Sequence, residues 1–242
     1  MKKICLIPAR YNASRFPGKL MAVLKGKTVI LRTYESAVNT DVFDEVMVVT
    51  DSEIIYNEIT GNGGKAVMSK REHECGTDRI AEVVENRSDV DIIVNVQGDE
   101  PFTQKAPLER LLKVFEGPDG EHVQVASLMQ VLKDPELVAD PNYVKVAVDK
   151  NFNALFFSRS VIPYHRDKNV SPVYYEHIGI YAFRRQTLLN FTAMEMSPLE
   201  AAEKIECLRY LENGIPMKMV VTDYMGVEID TPEDLKKAEK LL

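Results

Sequence analysis

Apolar residues enter this chain in short bursts, and the spacing within each burst alternates between strand-like and helix-like. Ile4 to Ile7 is a run of four apolar residues suited to a buried strand. Pro8, which has no N–H to donate, is expected to stop its ladder. A polar loop follows and ends in the turn pair Pro17-Gly18. Val29, Ile30, Tyr34, Ala37 and Val38 then recur at helical spacing behind Thr28, a good N-cap. Glu45 to Thr50 predicts a second strand, and Asp51-Ser52 opens a helix that runs to about Ile59 and ends at the glycines of 61–64. Lys65 to Met68 reads as a short strand. Cys75-Gly76-Thr77-Asp78 leads into a helix with Ile80, Val83 and Val84 on one face, and Val90 to Val96 reads as a fourth strand.

Strand and helix thus alternate through the first hundred residues, which predicts a mostly parallel sheet with helices on both faces. The second half is more mixed. A helix is expected over Ala106 to Phe115, a strand over Val123 to Val131, and a hairpin from Tyr143 to Phe157 turning near Asp149-Lys150-Asn151. Ser158 to Pro172 is polar and rich in turn formers, an excursion away from the sheet. Tyr174 to Phe183 returns as strand, and Pro198 to Glu212 reads as one helix capped by Ser197. Met217 to Val221 and Gly226 to Ile229 read as short strands, and Thr231 to Leu242 as a closing helix. With no repeat, linker or low-complexity segment, residues 1–242 are read as one domain.

Charge sharpens this picture. The chain carries 30 basic and 37 acidic residues, a formal charge of −7, which argues against a general nucleic-acid binder. Yet Met1 to Tyr34 holds eight Lys or Arg and no Asp or Glu. A cationic loop with Arg10, Arg15 and Lys19 directly after a buried strand suits a polyanion such as a triphosphate, or is a solvated basic loop. No apolar run approaches the ~20 residues of a membrane span, and the apolar stretch after Met-Lys-Lys is too short for a signal peptide. Three scattered cysteines exclude a disulfide framework, the four histidines show no metal-ligand spacing, and the expected compartment is the cytoplasm.

Gly26-Lys27-Thr28 mimics the end of a P-loop, but Met21 stands where the pattern needs glycine and no buried strand leads into it. A turn followed by a helix cap is the better reading. Gly61 to Gly64 lacks the dinucleotide-binding order and place, which weakens an oxidoreductase reading. Gln97-Gly98-Asp99-Glu100-Pro101 is more informative. Asp99 stands just past an apolar strand, where Mg²⁺ could be held between one or two carboxylates and substrate phosphates; the alternative is a plain turn. Thr231, Pro232 and Asp234 form a helix start that needs no further function. Asp230 is not required by that cap and could supply a second carboxylate. Cys75 to Arg79 offers a glycine-opened helix start with a cation beside it, or an ordinary first turn.

Taken together, these stretches resemble the cytidylyltransferases that activate 3-deoxy-manno-octulosonic acid (Kdo) as its CMP ester. The likeness rests on I-P-A-R-Y-N-A-S-R-F-P-G-K at 7–19, C-G-T-D-R at 75–79, V-N-V-Q-G-D-E-P at 94–101, P-N-Y-V-K-V at 141–146, F-S-R-S-V-I-P at 157–163, H-I-G-I-Y at 177–181 and I-D-T-P-E-D-L at 229–235. Sialic-acid cytidylyltransferases share the opening logic but usually carry Gly-Ser-Lys where this chain has Ala13-Ser14-Arg15. The resemblance implies a Rossmann-like fold of the nucleotide-diphospho-sugar transferase type, with a small β-rich excursion, about 158–183, at a homodimer interface. It implies attack of the anomeric hydroxyl of Kdo on the α-phosphorus of CTP, releasing pyrophosphate, for lipopolysaccharide biosynthesis.

By the same resemblance Arg10, Lys19 and Asp99 are catalytic. Ala9, Arg10, Arg15, Lys19, Ser69, Gly76, Thr77, Arg79 and Gln97 bind the nucleotide, while Gln97, Arg159, His177, Tyr181 and Glu206 bind the sugar acid. Asp99 and Asp230 match the metal carboxylates, with two Mg²⁺ ions expected in the ternary complex. Two departures stand out: Cys207 where the family usually has Gln, and Cys75 where it commonly has Ser. Because Gln both donates and accepts hydrogen bonds, Cys207 leaves a modified Kdo or a nonulosonate as the alternative substrate. A catalytically silent nucleotide-binding regulator is the alternative from another class, and it would be expected to have lost Lys19 or Asp99.

Overall fold

The first apolar burst becomes β1 (Lys3–Ala9), and every residue from Ile4 to Ala9 is buried, so both faces of the strand are covered. The structure, a computed structural model, describes residues 1–12, 16–73, 75–223 and 226–242. A 3-10 turn over Lys19–Met21 precedes a small hairpin, β2 (Val23–Leu24) and β3 (Lys27–Thr28). Lys25 (φ 49°) and Gly26 (φ 82°) turn it, as the rejection of a P-loop there requires. Next come α1 (Val29–Asn39), β4 (Glu45–Thr50), α2 (Glu53–Gly61), β5 (Ala66–Met68), α3 (Gly76–Glu85), β6 (Ile92–Asn95) and α4 (Lys105–Lys113). The expected caps hold the first two long helices: Thr28 Oγ1 accepts the Leu31 N–H and Ser52 Oγ that of Ile55. On α3 the buried side is Ile80, Ala81 and Val84, with Val83 only half-buried.

The rest of the chain forms α5 (Gly117–Gly120), β7 (Val125–Leu132), α6 (Pro135–Ala139), β8 (Lys145–Val148), β9 (Ala154–Ser158), β10 (Tyr174–Arg184) and α7 (Arg185–Thr192), then α8 (Pro198–Glu203), α9 (Leu208–Glu212), β11 (Met217–Val221) and α10 (Pro232–Glu239). Two compact units result. One comprises Met1–Glu109, Phe183–Thr192 and Met225–Leu242, the other Arg110–Ala182 and Ala193–Tyr224. Because the units interleave along the sequence, no shift in composition marks them. In the first, β6, β1, β4 and β5 lie side by side in that order, all parallel. In the second, β11 runs parallel to β7, β7 neighbours β10, and β8 pairs antiparallel with both β9 and β10. No described helix is long and apolar enough to cross a membrane.

Three expectations need correction. Pro8 does not stop β1. Leu6 accepts the Val96 N–H at 3.3 Å, and Pro8, two residues on, faces that same edge, where the register with β6 has already ended at Leu6–Asn95. Its missing N–H is needed by no strand, while the other edge continues, with Pro8 opposite Val49 and Ala9 opposite Thr50. The single helix expected over 198–212 is two, broken where Lys204 adopts a left-handed conformation (φ 54°). The stretch 226–230 is neither strand nor helix. Gly226 (φ 94°) there lies against Phe102, where a Cβ would stand 2.4 Å from the Phe102 Cβ, and the Ile229 N–H donates to the Asp99 carbonyl at 3.0 Å. Short α5 and α6, and α7, which starts directly off β10, were not expected. Residues 159–173 carry no helix or strand.

Candidate active site

Strand order in the first unit reverses at β1: the chain moves to β4 and β5 on one side and returns to β6 on the other. Parallel sheets bind ligands beyond the carboxyl ends of their strands at such a reversal. A cleft of about 350 Å³ opens there. Pro8, Ala9 and Arg10 line it from the end of β1, Gln97, Gly98 and Asp99 from the end of β6, and Cys75, Gly76 and Arg79 from the start of α3. Lys19 and Asp230 complete the charged wall.

Each of these groups is held by local chemistry. Gly98 approaches the backbone closely, since a Cβ on it would meet the Pro8 carbonyl and the Leu20 side chain at 3.1 Å each. Its own carbonyl accepts the Thr33 hydroxyl of α1 at 2.8 Å. The bond from Ile229 to the Asp99 carbonyl places Asp230 beside Asp99. Thr231 and Asp234 cap α10 reciprocally, the Thr231 N–H donating to Asp234 at 3.1 Å and the Asp234 N–H to Thr231 at 3.2 Å. Arg79, nearly fully buried, donates to Ser69 Oγ at 2.8 Å and to Asp51 Oδ2 at 2.7 Å.

Lys19 stands between two carboxylates, its ammonium donating to Asp99 Oδ2 and, at 2.7 Å, to Asp230 Oδ1. Burial by itself would lower its pKa; the charges of Asp99 and Asp230 and their hydrogen bonds outweigh that and raise it above the ordinary lysine value. Glu228 joins the group, so that ligand oxygens of Asp99, Glu228 and Asp230 lie within 4.8 Å of one another. Two of these carboxylates share the Lys19 ammonium, and the third stands beside them. The excess of negative charge and the all-oxygen donor set suit a hard divalent cation.

Of the residues expected to bind the nucleotide or a metal, Ala9, Arg10, Lys19, Gly76, Arg79, Gln97, Asp99 and Asp230 line the one cleft. Ser69 touches it through Arg79, and Thr77 is buried in the first turn of α3. Arg15 lies outside the described residues. Sequence reasoning missed Glu228, which lies in a stretch that read as a strand, and His73. The His73 side chain is 6% exposed, lines the cleft and meets Glu82 Oε2 at 2.6 Å through Nε2. That carboxylate also accepts the Lys70 N–H at 2.8 Å.

Arg159, His177, Tyr181 and Glu206 belong to the second unit. His177 packs edge-on against Phe157 (4.9 Å between ring centroids) and tilted against Tyr181 (5.3 Å). Its Nε2 lies 3.0 Å from Ser127 Oγ, whose hydroxyl also reaches the carbonyls of Ile178 and Ile180. Since the hydroxyl's single proton goes to a carbonyl, Ser127 accepts from a protonated Nε2. Burial drives the imidazole pKa down to about 3 and keeps the ring neutral. Tyr181 bonds to the Cys207 thiol, and burial pushes both groups' pKa values up. Arg159 donates to the backbone carbonyls of Glu203, Pro141 and Lys204, so its guanidinium is engaged with the chain itself.

Residues 4–241 match the family model described as Cytidylyltransferase. A 3-deoxy-manno-octulosonate cytidylyltransferase of Christiangramia forsetii is 60% identical over 239 residues, covering 99% of this chain and 96% of the relative. One from Flavobacterium johnsoniae is 57% identical over 242 residues, covering 100% and 99%. The chain belongs to the 3-deoxy-manno-octulosonate cytidylyltransferase family. Among solved structures, a CMP:2-keto-3-deoxy-manno-octonic acid synthetase complexed with CTP superposes with a TM-score of 0.93 at 38% identity, over 100% of this chain and 98% of that one. This family likeness bears out the expected α/β architecture, a mixed, mostly parallel sheet with helices. A 4-diphosphocytidyl-2C-methyl-D-erythritol synthase from Anaerococcus prevotii, 16% identical with a TM-score of 0.65 over 99% of this chain and 98% of that one, shares the fold alone.

Proposed function

We propose that this cytidylyltransferase couples CTP to the anomeric hydroxyl of Kdo, forming CMP-Kdo and pyrophosphate and supplying lipopolysaccharide synthesis. The observation that carries the reading is the meeting of Arg10 and Lys19 with Asp99 and Asp230 at the strand-order reversal, in a chain alignable end to end with Kdo cytidylyltransferases. The anomeric oxygen forms a bond to the α-phosphorus, the bond from that phosphorus to the bridging oxygen breaks, and the hydroxyl proton is lost. Such transfer asks mainly for positioning and charge neutralisation. Lys19, held protonated by its carboxylates, and Arg10 supply cations for the phosphate oxygens.

Gln97, Gly76 and Arg79 shape the nucleotide's seat, with Asp51 and Ser69 fixing the Arg79 guanidinium. Asp99 and Asp230, with Glu228 beside them, are the residues that would hold Mg²⁺, two ions in the ternary complex. Such ions would supply charge neutralisation for the phosphates and would lower the pKa of an attacking hydroxyl. His177, Tyr181 and Glu206 are assigned to the sugar acid. The setting is the cytoplasm, in keeping with free Cys5, Cys75 and Cys207. The active form is a homodimer contacting through the excursion about 158–183, which exposes Val161, Tyr164, Val170 and Val173.

Incubation with CTP, Kdo and Mg²⁺ is expected to release pyrophosphate. Other nucleoside triphosphates, nonulosonates and omission of the metal are expected to release little. Binding of CTP with no pyrophosphate from any of these sugar acids would sink the reading in favour of a silent nucleotide binder. A monomeric mass by light scattering at micromolar concentration would remove the dimer.

A further inference from the structure

Under the cleft, at the last position of β6, Asn95 is fully buried (0% exposed). Its Oδ1 accepts from Gln97 Nε2 at 3.4 Å, while its Nδ2 has no hydrogen-bond partner among the described residues. Turning both amides around would leave Oδ1 unserved instead of Nδ2. In either setting one polar atom of a buried side chain is unsatisfied, which is destabilising. Asparagine is also a poor strand former at a position flanked by Val94 and Val96, where an apolar residue would serve the core better.

A buried polar group that weakens the fold calls for an explanation in function, and its partner among the described residues supplies one. Gln97 lines the cleft beside Gly98 and Asp99. With Nε2 turned to Asn95, Gln97 presents Oε1 toward the start of α3, 3.8 Å from where a Cβ on Gly76 would stand. A free glutamine amide can offer either a donor or an acceptor. We infer that Asn95 is a positioning residue: it fixes the Gln97 amide so that the polar atom turned away from Asn95 meets a complementary hydrogen-bonding group of the bound substrates. This inference rests on the transferase reading, and wild-type pyrophosphate release tests that reading separately.

Asn95→Leu, close in volume, removes both the anchor and the unsatisfied atom. The expected result is a melting temperature at or above that of the wild type. Together with it kcat/KM should fall about ten-fold, the scale of one misplaced hydrogen bond, and whichever of CTP or Kdo shows the raised KM is the substrate that Gln97 touches. Asn95→Thr, β-branched and carrying a shorter oxygen, should retain more activity than Asn95→Leu. The double variant Asn95→Leu/Gln97→Ala should be no slower than Gln97→Ala alone, because one residue acts through the other. Multiplying losses in the double variant, equal activity of the Leu and Thr variants, Leu activity within two-fold of wild type, or a clear drop in melting temperature or failure to fold for the Leu variant would each overturn the inference. An active wild type with any of those outcomes removes only the role of Asn95; an inactive wild type removes the reading beneath it.

Discussion

Two buried cation–carboxylate clusters in this protein look alike in composition and differ in what they leave over. In the second unit Arg209 grips Glu200 with two parallel bonds, Nε to Oε2 at 2.7 Å and Nη2 to Oε1 at 2.6 Å. Both side chains are less than a tenth exposed, and Glu200 also accepts the Ser197 N–H. The two charges meet directly, and the pair ties α8 to α9 across the break at Lys204. In the first unit Lys19 faces Asp99 and Asp230, with Glu228 nearby, at the mouth of a cleft. There, among the described residues, three carboxylates gather beside one lysine and a cleft opens next to them. A matched pair suits a structural role; surplus carboxylates beside a cleft suit the role proposed above for Lys19, Asp99 and Asp230.

The largest expected effect breaks the structural side. Arg209→Ala leaves Glu200 buried without its partner and should cost about 3–5 kcal/mol of stability, read as a lower denaturation midpoint. Replacing both members, Glu200→Leu with Arg209→Met, should recover most of that loss, because apolar residues of similar volume carry no desolvation penalty. If the double variant is as unstable as the single, the pair does more than join two helices.

Lys19→Ala tests the other side. Turnover should fall by about 10²–10³, the usual result of deleting one preorganised charge-stabilising group, while the protein still folds, with a lowered melting temperature because Asp99 and Asp230 lose their cation. Removing the ammonium also concentrates negative charge among Asp99, Glu228 and Asp230. Mg²⁺ should therefore raise the variant's melting temperature more than the wild type's. The wild-type pH profile follows from the sign of the lysine shift. A folded pKa raised above the ordinary 10.5 means that the ion cluster's stabilisation is complete below that value and is lost as pH climbs past it. Turnover that depends on the Lys19 charge should be insensitive to this group from pH 6 to 9, and a step assigned to Lys19 in that range would contradict the geometry.

The working cluster was also the more legible of the two. A buried strand followed by a cationic loop, and a second strand followed by Gln97-Gly98-Asp99, announce a cleft lined by cations and carboxylates because strand ends and charge are both local signals. Glu228 was hidden because it lies in a stretch that read as a strand, next to a helix cap, Thr231 to Asp234, that accounts for the acids after it. His73 and Glu82 are nine residues apart and meet only because the loop before α3 folds back on the helix, which no periodicity reports. The break at Lys204 left no trace either, since a left-handed lysine, unlike a glycine, looks in sequence like any helical residue. Gly226 to Ile229 read as a strand from its apolar positions, yet a glycine against Phe102 and one bond to Asp99 hold it, both long-range contacts. Pro8 misled for the opposite reason: its rule was sound, but on the edge it affects the pairing with β6 had already ended at Leu6.

The smallest expected effect asks which of two supports sets Asp230. The cap at Thr231 follows it directly, with Thr231 Oγ1 accepting the Asp234 N–H at 3.2 Å, while the bond from Ile229 N–H to the Asp99 carbonyl precedes it. Thr231→Ala should lower stability by about 1 kcal/mol, as loss of an N-cap does, measured by denaturant unfolding. If the Ile229 bond is the support, turnover stays within about three-fold of wild type, since a change below ~0.7 kcal/mol in the barrier corresponds to that factor. The backbone bond is not touched by the substitution, and it links Asp230 to the same loop that carries Asp99, so the two carboxylates move together even when the helix start loosens. A fall in turnover well beyond that limit at an intact melting transition would assign the placement of Asp230 to the helix cap, and the imbalance that distinguishes this cluster would then depend on α10 rather than on β6.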